Sequence, residues 1–337
     1  MLKVLCRALL AGCVAIGAAC QGSRSLRDPQ YQWSQYTETS TKEVVALGQR
    51  LFFDPQLSGS GRTACATCHN PDFVYGDLRP VSISDNGQPG RRHAPSLLNV
   101  GFRPYLMWDG RFASLEEQAF GPFRPEGEMG IGIEGAAARI SRDPNYRLQF
   151  SRVLGQPPSP EGIVAAIAAF ERTLVIGNSR FDRFALNKDE RALSPLEKYG
   201  LEVFTGKGLC ANCHVIFAPK VSALPLFTDF EFRNIGIGFD GDGFHDLGRG
   251  AVTLAEQDYG AFRTPSLRNV AITGPYMHDG SLGTLDEVIA FYDAGGMPNP
   301  NLDPILRPLG LSDQEKDGLV AFLGSLTDLE FSPPPTR

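Results

Sequence analysis

The chain has 337 residues, which is enough for two domains of ordinary size. Its 38 acidic residues outnumber its 32 lysines and arginines, which gives a formal net charge of −6 at pH 7. This acidic balance argues against nucleic acid as a partner, because binding to phosphates requires a positive surface. It would suit a basic redox protein as a partner.

The N-terminus is typical of an export signal over residues 1–19. A basic start is followed by an apolar run, Ala8 to Ala19, which is too short to span a bilayer. Small residues precede Cys20, a pattern that resembles the cleavage and lipidation site of a bacterial lipoprotein. Ordinary cleavage near the same place, giving a soluble periplasmic protein, is the alternative. Residues 20–39 are polar and irregular and are predicted to form a tether.

Two Cys-x-x-Cys-His runs carry the strongest chemical signal in the chain. Each is the attachment sequence for a c-type haem, in which the two thiols bind the porphyrin covalently and the histidine binds the iron. The residues that they supply are Cys65, Cys68 and His69 for one haem and Cys210, Cys213 and His214 for the other. A zinc or redox Cys-x-x-Cys site is the alternative, but zinc would have no use for a histidine directly after each pair. The runs therefore predict a protein with two haem c groups, attached outside the cytoplasm.

Capping boxes mark the starts of several helices. A Ser or Thr three residues ahead of a Glu occurs at Ser40, Ser114, Ser194, Thr284 and Ser312. Another helix is predicted from Ser159-Pro160, because proline favours the first helical position and the following apolar residues recur at helical spacing. The 37 glycines and 25 prolines predict long loops, chiefly over 70–105 and 215–262. We therefore expect a mainly α fold whose helices and loops surround the haems.

An internal repeat relates the two halves of the chain. Residues 94–117 align without gaps on residues 264–287, with ten of the 24 pairs identical, and each copy follows one haem motif. The repeat predicts two cytochrome-c-like domains related by duplication, over 40–190 and 191–331. If the register is extended, Pro122 stands opposite Tyr292. A phenol oxygen can bind iron and a proline cannot, so the two haems are predicted to differ.

The chain from about residue 45 to 327 resembles the bacterial di-haem cytochrome c peroxidase and MauG superfamily. The segments that carry the resemblance, besides the haem motifs, are APSLLNV at 94–100, MWDGR at 107–111, LEEQA at 115–119, EMG at 128–130, TPSLRNV at 264–270 and PYMHDG at 275–280. The resemblance implies a periplasmic enzyme that cleaves hydrogen peroxide. Its electrons would come from a small cytochrome c or cupredoxin, or from a protein substrate, and members of the family are often homodimers.

The resemblance also implies roles for individual residues. The N-terminal haem, bound by His69, would be the peroxidatic one, with Gln118 and Glu128 in its distal pocket. The C-terminal haem, bound by His214, would transfer electrons, and Trp108 would lie between the two haems.

Glu128 is predicted to move protons during peroxide cleavage, first as a base and then as an acid, in a pocket dry enough to raise its pKa. Gln118 can hold peroxide by hydrogen bonds without titrating. The alternatives are that Glu116 or Glu117 is the acid, or that all three carboxylates are surface charges. Capping and the helix dipole already explain Glu116 and Glu117, whereas Glu128 lies in a loop flanked by glycines.

Two positions depart from the peroxidases and match the MauG-like branch. Asp85 stands where the peroxidases have a distal histidine that closes the resting N-terminal haem, and Tyr292 stands where they have a methionine ligand of the second haem. The resemblance thus implies an open first haem and a second haem ligated by Tyr292, whose anionic oxygen would stabilise oxidised iron. Without the resemblance, Tyr292 would be interpreted as a packed core tyrosine on a helix over 284–294.

The resemblance also raises the possibility of a bound calcium ion as a further cofactor. The family binds the ion between its domains through an asparagine side chain and the carbonyls of a threonine and a proline. Thr273 and Pro275 match the carbonyl positions. The asparagine position holds His93, a poor ligand because calcium prefers oxygen.

Two classes of function follow from these observations. The first is a peroxidase that oxidises either a small redox protein or, as in MauG, the side chains of a protein substrate. The second is a di-haem electron carrier with two six-coordinate haems and no reaction with peroxide. Gln118 and Glu128 favour the enzyme, because a carrier has no use for them.

Overall fold

The computed structural model describes residues 41–124, 127–218 and 221–328. Regular structure within these ranges is mostly helical, which confirms the predicted mainly α class. The predicted signal peptide, Cys20 and the predicted tether lie outside the described residues. The helices are α1 (Lys42–Phe52), α2 (Cys65–Cys68), α3 (Leu115–Phe120), α4 (Ile133–Ile140), α5 (Pro144–Leu154), α6 (Pro160–Glu171), α7 (Arg180–Ala185), α8 (Pro195–Thr205), α9 (Gly250–Thr253), α10 (Leu285–Asp293) and α11 (Asp313–Gly324).

The helix starts follow the capping residues seen in the sequence. Ser114, Ser194, Thr284 and Ser312 each accept a hydrogen bond from the backbone N–H three residues ahead, as N-caps do. The first helix differs by one residue, because Thr41 caps it and accepts from the Val44 N–H. Two three-residue strands, β1 (Phe232–Asn234) and β2 (Ala261–Arg263), pair antiparallel inside the predicted loop 215–262. Strands this short carry too little alternation to be predicted from sequence.

Two hydrophobic cores occupy successive parts of the chain. The first is built from residues between Leu47 and Ile176, with Phe52, Tyr75 and Phe170 fully buried in it. The second is built from residues between Phe181 and Leu326. Cys65 packs against the first core and Cys210 against the second, so each haem motif borders its own core.

Each core contains a pair of helices that cross at a glycine. In the first, α1 packs on α6, and a Cβ on Gly48 would overlap the carbonyl oxygen of Ala166. In the second, α8 packs on α11, and a Cβ on Gly200 would overlap the carbonyl oxygen of Gly318. Glycine is required at both crossings because no side chain fits between the backbones.

Substitution at the second crossing is expected to destabilise the fold. Gly200→Ala should lower the free energy of unfolding by about 1–3 kcal/mol, the usual cost of overpacking. Gly324→Ala is a matched control, because Gly324 ends α11 with open space where its Cβ would lie. Denaturant unfolding of both variants measures the effect, and equal stability of the two would contradict the role of the crossing.

The repeated segments adopt matching backbone conformations. Asn99 and Asn269 both have φ of 57°. The Asn99 side chain accepts from the N–H of Ile176 at 2.8 Å, and the Asn269 side chain accepts from the N–H of Asp328 at 2.9 Å. In each half, the asparagine therefore ties the repeated segment to the chain that follows the last helix of its core.

Charged side chains join the first repeat to the second half of the chain. Arg92 forms ion pairs with Asp109 and with Asp246, each at 2.7 Å. Arg249 donates to the carbonyl oxygens of Asp109 and Gly110. The MWDGR segment is thereby fixed against the C-terminal half, close to the short sheet. Within the described ranges, no helix is long and apolar enough to cross a membrane.

Candidate active site and haem pockets

The first haem motif forms a single helical turn, α2, beside the first core. The backbone N–H of His69 bonds to the Cys65 carbonyl, and the ring Nδ1 lies 3.2 Å from the carbonyl oxygen of Tyr75. A ring that donates from Nδ1 keeps its lone pair on Nε2, the atom that would bind iron. Burial lowers the pKa of His69 to about 4, which keeps the imidazole neutral and able to ligate.

The second haem motif repeats this arrangement. His214 Nδ1 lies 3.0 Å from the carbonyl oxygen of Phe227. Burial raises the pKa of Cys210 to about 12 and that of Cys213 to about 11. None of the four motif cysteines in the described chain forms a disulfide, so all four thiols are available for attachment to porphyrin.

A cavity of about 250 Å³ lies beside the second motif. Cys210, Cys213 and His214 line it, and so does Tyr292 from α10. Desolvation raises the pKa of the Tyr292 phenol, with smaller contributions from the neighbouring Cys213 and Cys210. The phenol and the imidazole therefore share one mostly apolar cavity, where both could hold the iron of a haem.

The donor set fits a haem at this position. The cavity combines two thiols, a histidine with a free Nε2, a phenol and apolar walls. Arg263 also lines it and is 3% exposed, and the Nε atom of its side chain has no hydrogen-bond partner among the described residues. A buried donor without a partner is costly, and an anionic group in the cavity would satisfy it.

Glu128 lies next to the first motif. Burial is the main cause that raises the pKa of the Cys65 and Cys68 thiols, and the charge of the nearby Glu128 carboxylate raises both further. Although Glu128 is exposed, the protein around its carboxyl limits its hydration and raises its pKa, and the charge of Arg111 only partly offsets this. A carboxyl with a raised pKa is a stronger base than an ordinary glutamate, which suits a group that first accepts and then donates a proton.

Gln118 lies on α3 and contacts Met107. Its Nε2 atom lies 3.7 Å from the sulfur of Met107, which holds the amide in place. The two other glutamates of this helix have structural partners. Glu116 forms an ion pair with Arg172 at 2.7 Å, and Glu117 accepts from the N–H of Ala113 at 3.2 Å. Their contacts give Glu116 and Glu117 structural roles at the start of the helix.

Trp108 forms hydrogen bonds with residues of both halves of the chain. It is 9% exposed, and its indole N–H donates to the carbonyl oxygen of His93 at 2.9 Å. The ring lines the cavity of the second motif, while the preceding residue, Met107, contacts Gln118. The Trp108 carbonyl accepts from the N–H of Arg263 at 2.9 Å, which ties the indole to the C-terminal half.

Asp85 holds the loop that carries Glu128. Its backbone N–H donates to the Glu128 carbonyl at 2.8 Å, and its carboxylate accepts from Ser60 and from the Thr63 hydroxyl, two residues before Cys65. Desolvation works against the charged form, but the hydrogen bonds from Ser60 and Thr63 outweigh it and lower the pKa of Asp85 to about 2. Asp85 thus links the Glu128 loop to the first motif.

Asp85→Ala is expected to loosen this link. We expect a lower kcat with little change in KM, and partial rescue by Asp85→Asn, which keeps one side-chain acceptor for Ser60 or Thr63. Because the folded-state pKa is depressed, the stabilisation by Asp85 is full above pH 3.8 and is lost as the pH falls towards 2. Acid unfolding followed by circular dichroism should show the alanine variant less stable at pH 5, with the difference closing near pH 2. A difference independent of pH would contradict the assignment.

The calcium prediction stays a prediction. Thr273 and Pro275 line the second cavity, and the Thr273 hydroxyl lies 3.4 Å from the Val270 carbonyl oxygen. His93 is buried, and its Nδ1 lies 3.0 Å from the Arg79 carbonyl oxygen. In the three described ranges, no group of three or more His, Cys, Asp or Glu side chains could hold a metal ion.

The sequence analysis did not predict that two arginines, Arg79 and Arg263, lie at the haem motifs. Arg79 donates to the Cys68 sulfur at 3.6 Å and pairs with Asp77 at 2.6 Å, so it borders the first motif. Arg263 lies in the second cavity. The available signal for Arg263 was its place directly before the second copy of the repeat, where the first copy has His93.

Comparisons with known proteins find relatives over most of the chain. The family model for di-haem cytochrome c peroxidases matches residues 42–191. The methylamine utilization protein MauG of Methylorubrum extorquens is 40% identical, over 85% of this chain and 78% of its own. A cytochrome-c peroxidase of Denitromonas iodatirespirans is 37% identical, over 86% of this chain and 83% of its own. The crystal structure of a MauG-like protein associated with microbial copper homeostasis superimposes with a TM-score of 0.77 and 33% identity, over 86% of this chain and 91% of its own.

These relationships define the class of protein: a peroxide-acting oxidoreductase with two c-type haems. Within that class, the chain belongs to the di-haem cytochrome c peroxidase and MauG family. The prediction of the family and that of an enzyme are therefore confirmed.

Proposed function

We propose that the chain reduces hydrogen peroxide at the N-terminal haem, which His69 ligates, with electrons that pass through the C-terminal haem. The observation that carries this proposal is the distribution of side chains between the motifs. Glu128 lies beside the thiols of the first motif, whereas Trp108 and Tyr292 line the cavity of the second. The two haems would therefore meet different chemistry.

Glu128 moves the protons in this reaction. Bound haem supplies the iron at which peroxide binds and the electrons that reduce it. The Glu128 carboxylate takes a proton from one peroxide oxygen and delivers it to the other, which leaves as water. Its raised pKa supports the first step, because it makes the carboxylate a stronger base than an ordinary glutamate. Gln118, held by Met107, orients the peroxide without titrating.

The second haem connects the site to a reductant. His214 and Tyr292 would ligate its iron, and Trp108 would carry electrons between the haems. A Tyr292 ligand supports assignment to the MauG-like branch. The electron source is then a small cytochrome or cupredoxin, or a protein substrate whose side chains are oxidised.

We also propose that two cytochrome-c-like units arose by duplication. Three features support this: the two cores, the two glycine crossings and the matching contacts of Asn99 and Asn269. The first core ends at Ile176 and the second begins at Phe181, which supports a boundary slightly ahead of the predicted residue 190.

The cellular location of the protein is inferred from its cofactor. Covalent haem attachment outside the cytoplasm supports a periplasmic location. Lipidation at Cys20 and a homodimer remain predictions.

Electron paramagnetic resonance and optical spectra of the oxidised protein test the proposal, before and after stoichiometric peroxide. We expect one high-spin and one low-spin haem, and an optical change that persists after peroxide is consumed. Two low-spin haems that react only after partial reduction would favour an ordinary cytochrome c peroxidase. Two low-spin haems that never react would favour the electron carrier.

A further inference from the structure

The cavity of the second motif is lined by arginines of two kinds. Arg233 forms ion pairs with Asp229 at 2.7 Å and Asp303 at 3.0 Å. Arg268 pairs with Asp182 at 2.7 Å. The positive charge of each of these two guanidinium groups is therefore compensated by aspartate.

Arg103 and Arg263 differ, because neither forms an ion pair with any described residue. Arg103 donates to the carbonyl oxygens of Ser96 and Leu98, and Arg263 donates to that of Thr264. Carbonyl groups satisfy some of the N–H donors but neutralise no charge. Besides Arg307, which is exposed to solvent, two positive side chains thus reach the cavity without an ion-pair partner among the described residues.

The two guanidinium groups lie close enough to repel each other. Burial lowers the pKa of Arg263 to about 9, and the charge of Arg103 lowers it further. Burial also lowers the pKa of Arg103 to about 10, against the attraction of Glu171. Glu171 is itself buried, which raises its pKa to about 8 and leaves it mostly neutral at pH 7. Glu171 forms no ion pair with Arg103, so the positive charge of Arg103 is only partly compensated.

We propose that Arg103 and Arg263 bind the two carboxylates of the haem in the second cavity. Uncompensated buried cations are costly, and a ligand with two negative groups removes that cost. Arginine also matches the planar geometry of a carboxylate.

This assignment fixes which edge of the haem faces the first half of the chain. Arg263 is bonded through its N–H to the Trp108 carbonyl, and the charge of Arg103 also acts on His69 of the first motif. The carboxylate edge of the second haem thus faces Trp108 and the N-terminal half. Arg103 comes from that half, so the haem itself links the two halves. The inference rests on the second haem lying in this cavity and not on peroxide turnover.

The reduction potential of the second haem tests the inference. Arg103→Gln and Arg263→Gln each leave a carboxylate uncompensated, which favours ferric iron, so the potential should fall. At a fixed potential, the ferric-to-ferrous ratio should rise about tenfold, or about 59 mV for one electron. Spectroelectrochemical titration of the full-length, haem-loaded protein measures this shift.

Matched variants distinguish the loss of a carboxylate-binding charge from a general disruption of the protein structure. Arg307→Gln removes the same charge from an exposed residue of the same cavity and should leave the potential near the wild-type value. Arg263→Lys keeps the charge, so its potential should stay close to the wild-type value. This variant also provides a test if the glutamine variant fails to fold. The inference is overturned if the glutamine variants match Arg307→Gln, or if the lysine variant shifts as far as glutamine. None of these readouts requires peroxide activity, so they stand even if the proposed reaction is wrong.

Discussion

Glu128→Gln is expected to lower kcat for peroxide reduction by about 10²–10⁴-fold, the usual contribution of a general acid–base group. Glutamine keeps the size of the side chain but cannot carry a proton from one peroxide oxygen to the other. The association of peroxide with the protein should change little. Stopped-flow measurement of peroxide decay separates the two steps.

Glu117→Gln is the matched control for this experiment. Glu117 lies on the neighbouring helix α3 and accepts from the Ala113 N–H, so its loss affects a cap and not proton transfer. We expect its turnover to stay within a few-fold of the wild type. Unchanged peroxide decay in Glu128→Gln would rule out Glu128 as the proton-transfer group.

The pH dependence of the same reaction gives a second readout. Desolvation raises the pKa of Glu128 above the ordinary carboxyl value of 4.5. The carboxylate must be deprotonated to act as a base, so kcat/KM should fall as the pH drops through this raised pKa. The acid limb should therefore lie above pH 4.5 in the wild type and be absent from Glu128→Gln.

Tyr292→Phe is expected to change the ligation of the second haem. The substitution removes the phenol oxygen and leaves the ring, so the low-spin signal of that haem should be replaced by a high-spin one. Loss of an anionic oxygen ligand should also shorten the lifetime of the oxidised state that follows peroxide addition. Electron paramagnetic resonance and optical spectra measure both effects.

Tyr276→Phe controls for loss of a phenol from the same cavity. The Tyr276 hydroxyl donates to the Val270 carbonyl at 2.9 Å, so its removal costs a hydrogen bond and no haem ligand. We expect unchanged spin states in this variant. A low-spin second haem in Tyr292→Phe would show that Tyr292 is a packed core residue, the alternative interpretation of the sequence.

Local signals predicted much of this fold. The N-caps Ser114, Ser194, Thr284 and Ser312 lie where the capping boxes placed them, because capping depends on residues three apart. The haem motifs are equally local. The strands β1 and β2 escaped prediction, since each has three residues and depends on a partner about 30 residues away.

The candidate site was predictable where a motif or the family resemblance named a residue. Glu128 and Gln118 came from the resemblance, and their roles at the first haem stay predictions, since the structure shows Gln118 against Met107 and the charge of Glu128 acting on the first motif's thiols. The bonds from Asp85 to Ser60 and Thr63 could not be predicted, because they join loops more than 20 residues apart. Arg263 was missed for a related reason. Its significance lies in the absence of an acidic neighbour, which only the packed structure reveals.

The hydrogen bond of Trp108 has a consequence for the way charge crosses between the halves. Its indole N–H points at a backbone carbonyl, that of His93, and a carbonyl is too weak a base to take the proton. An electron that leaves the indole would therefore leave the proton behind. Passage through Trp108 should then be a pure electron transfer, reversible, insensitive to pH and unaffected by replacing water with deuterium oxide.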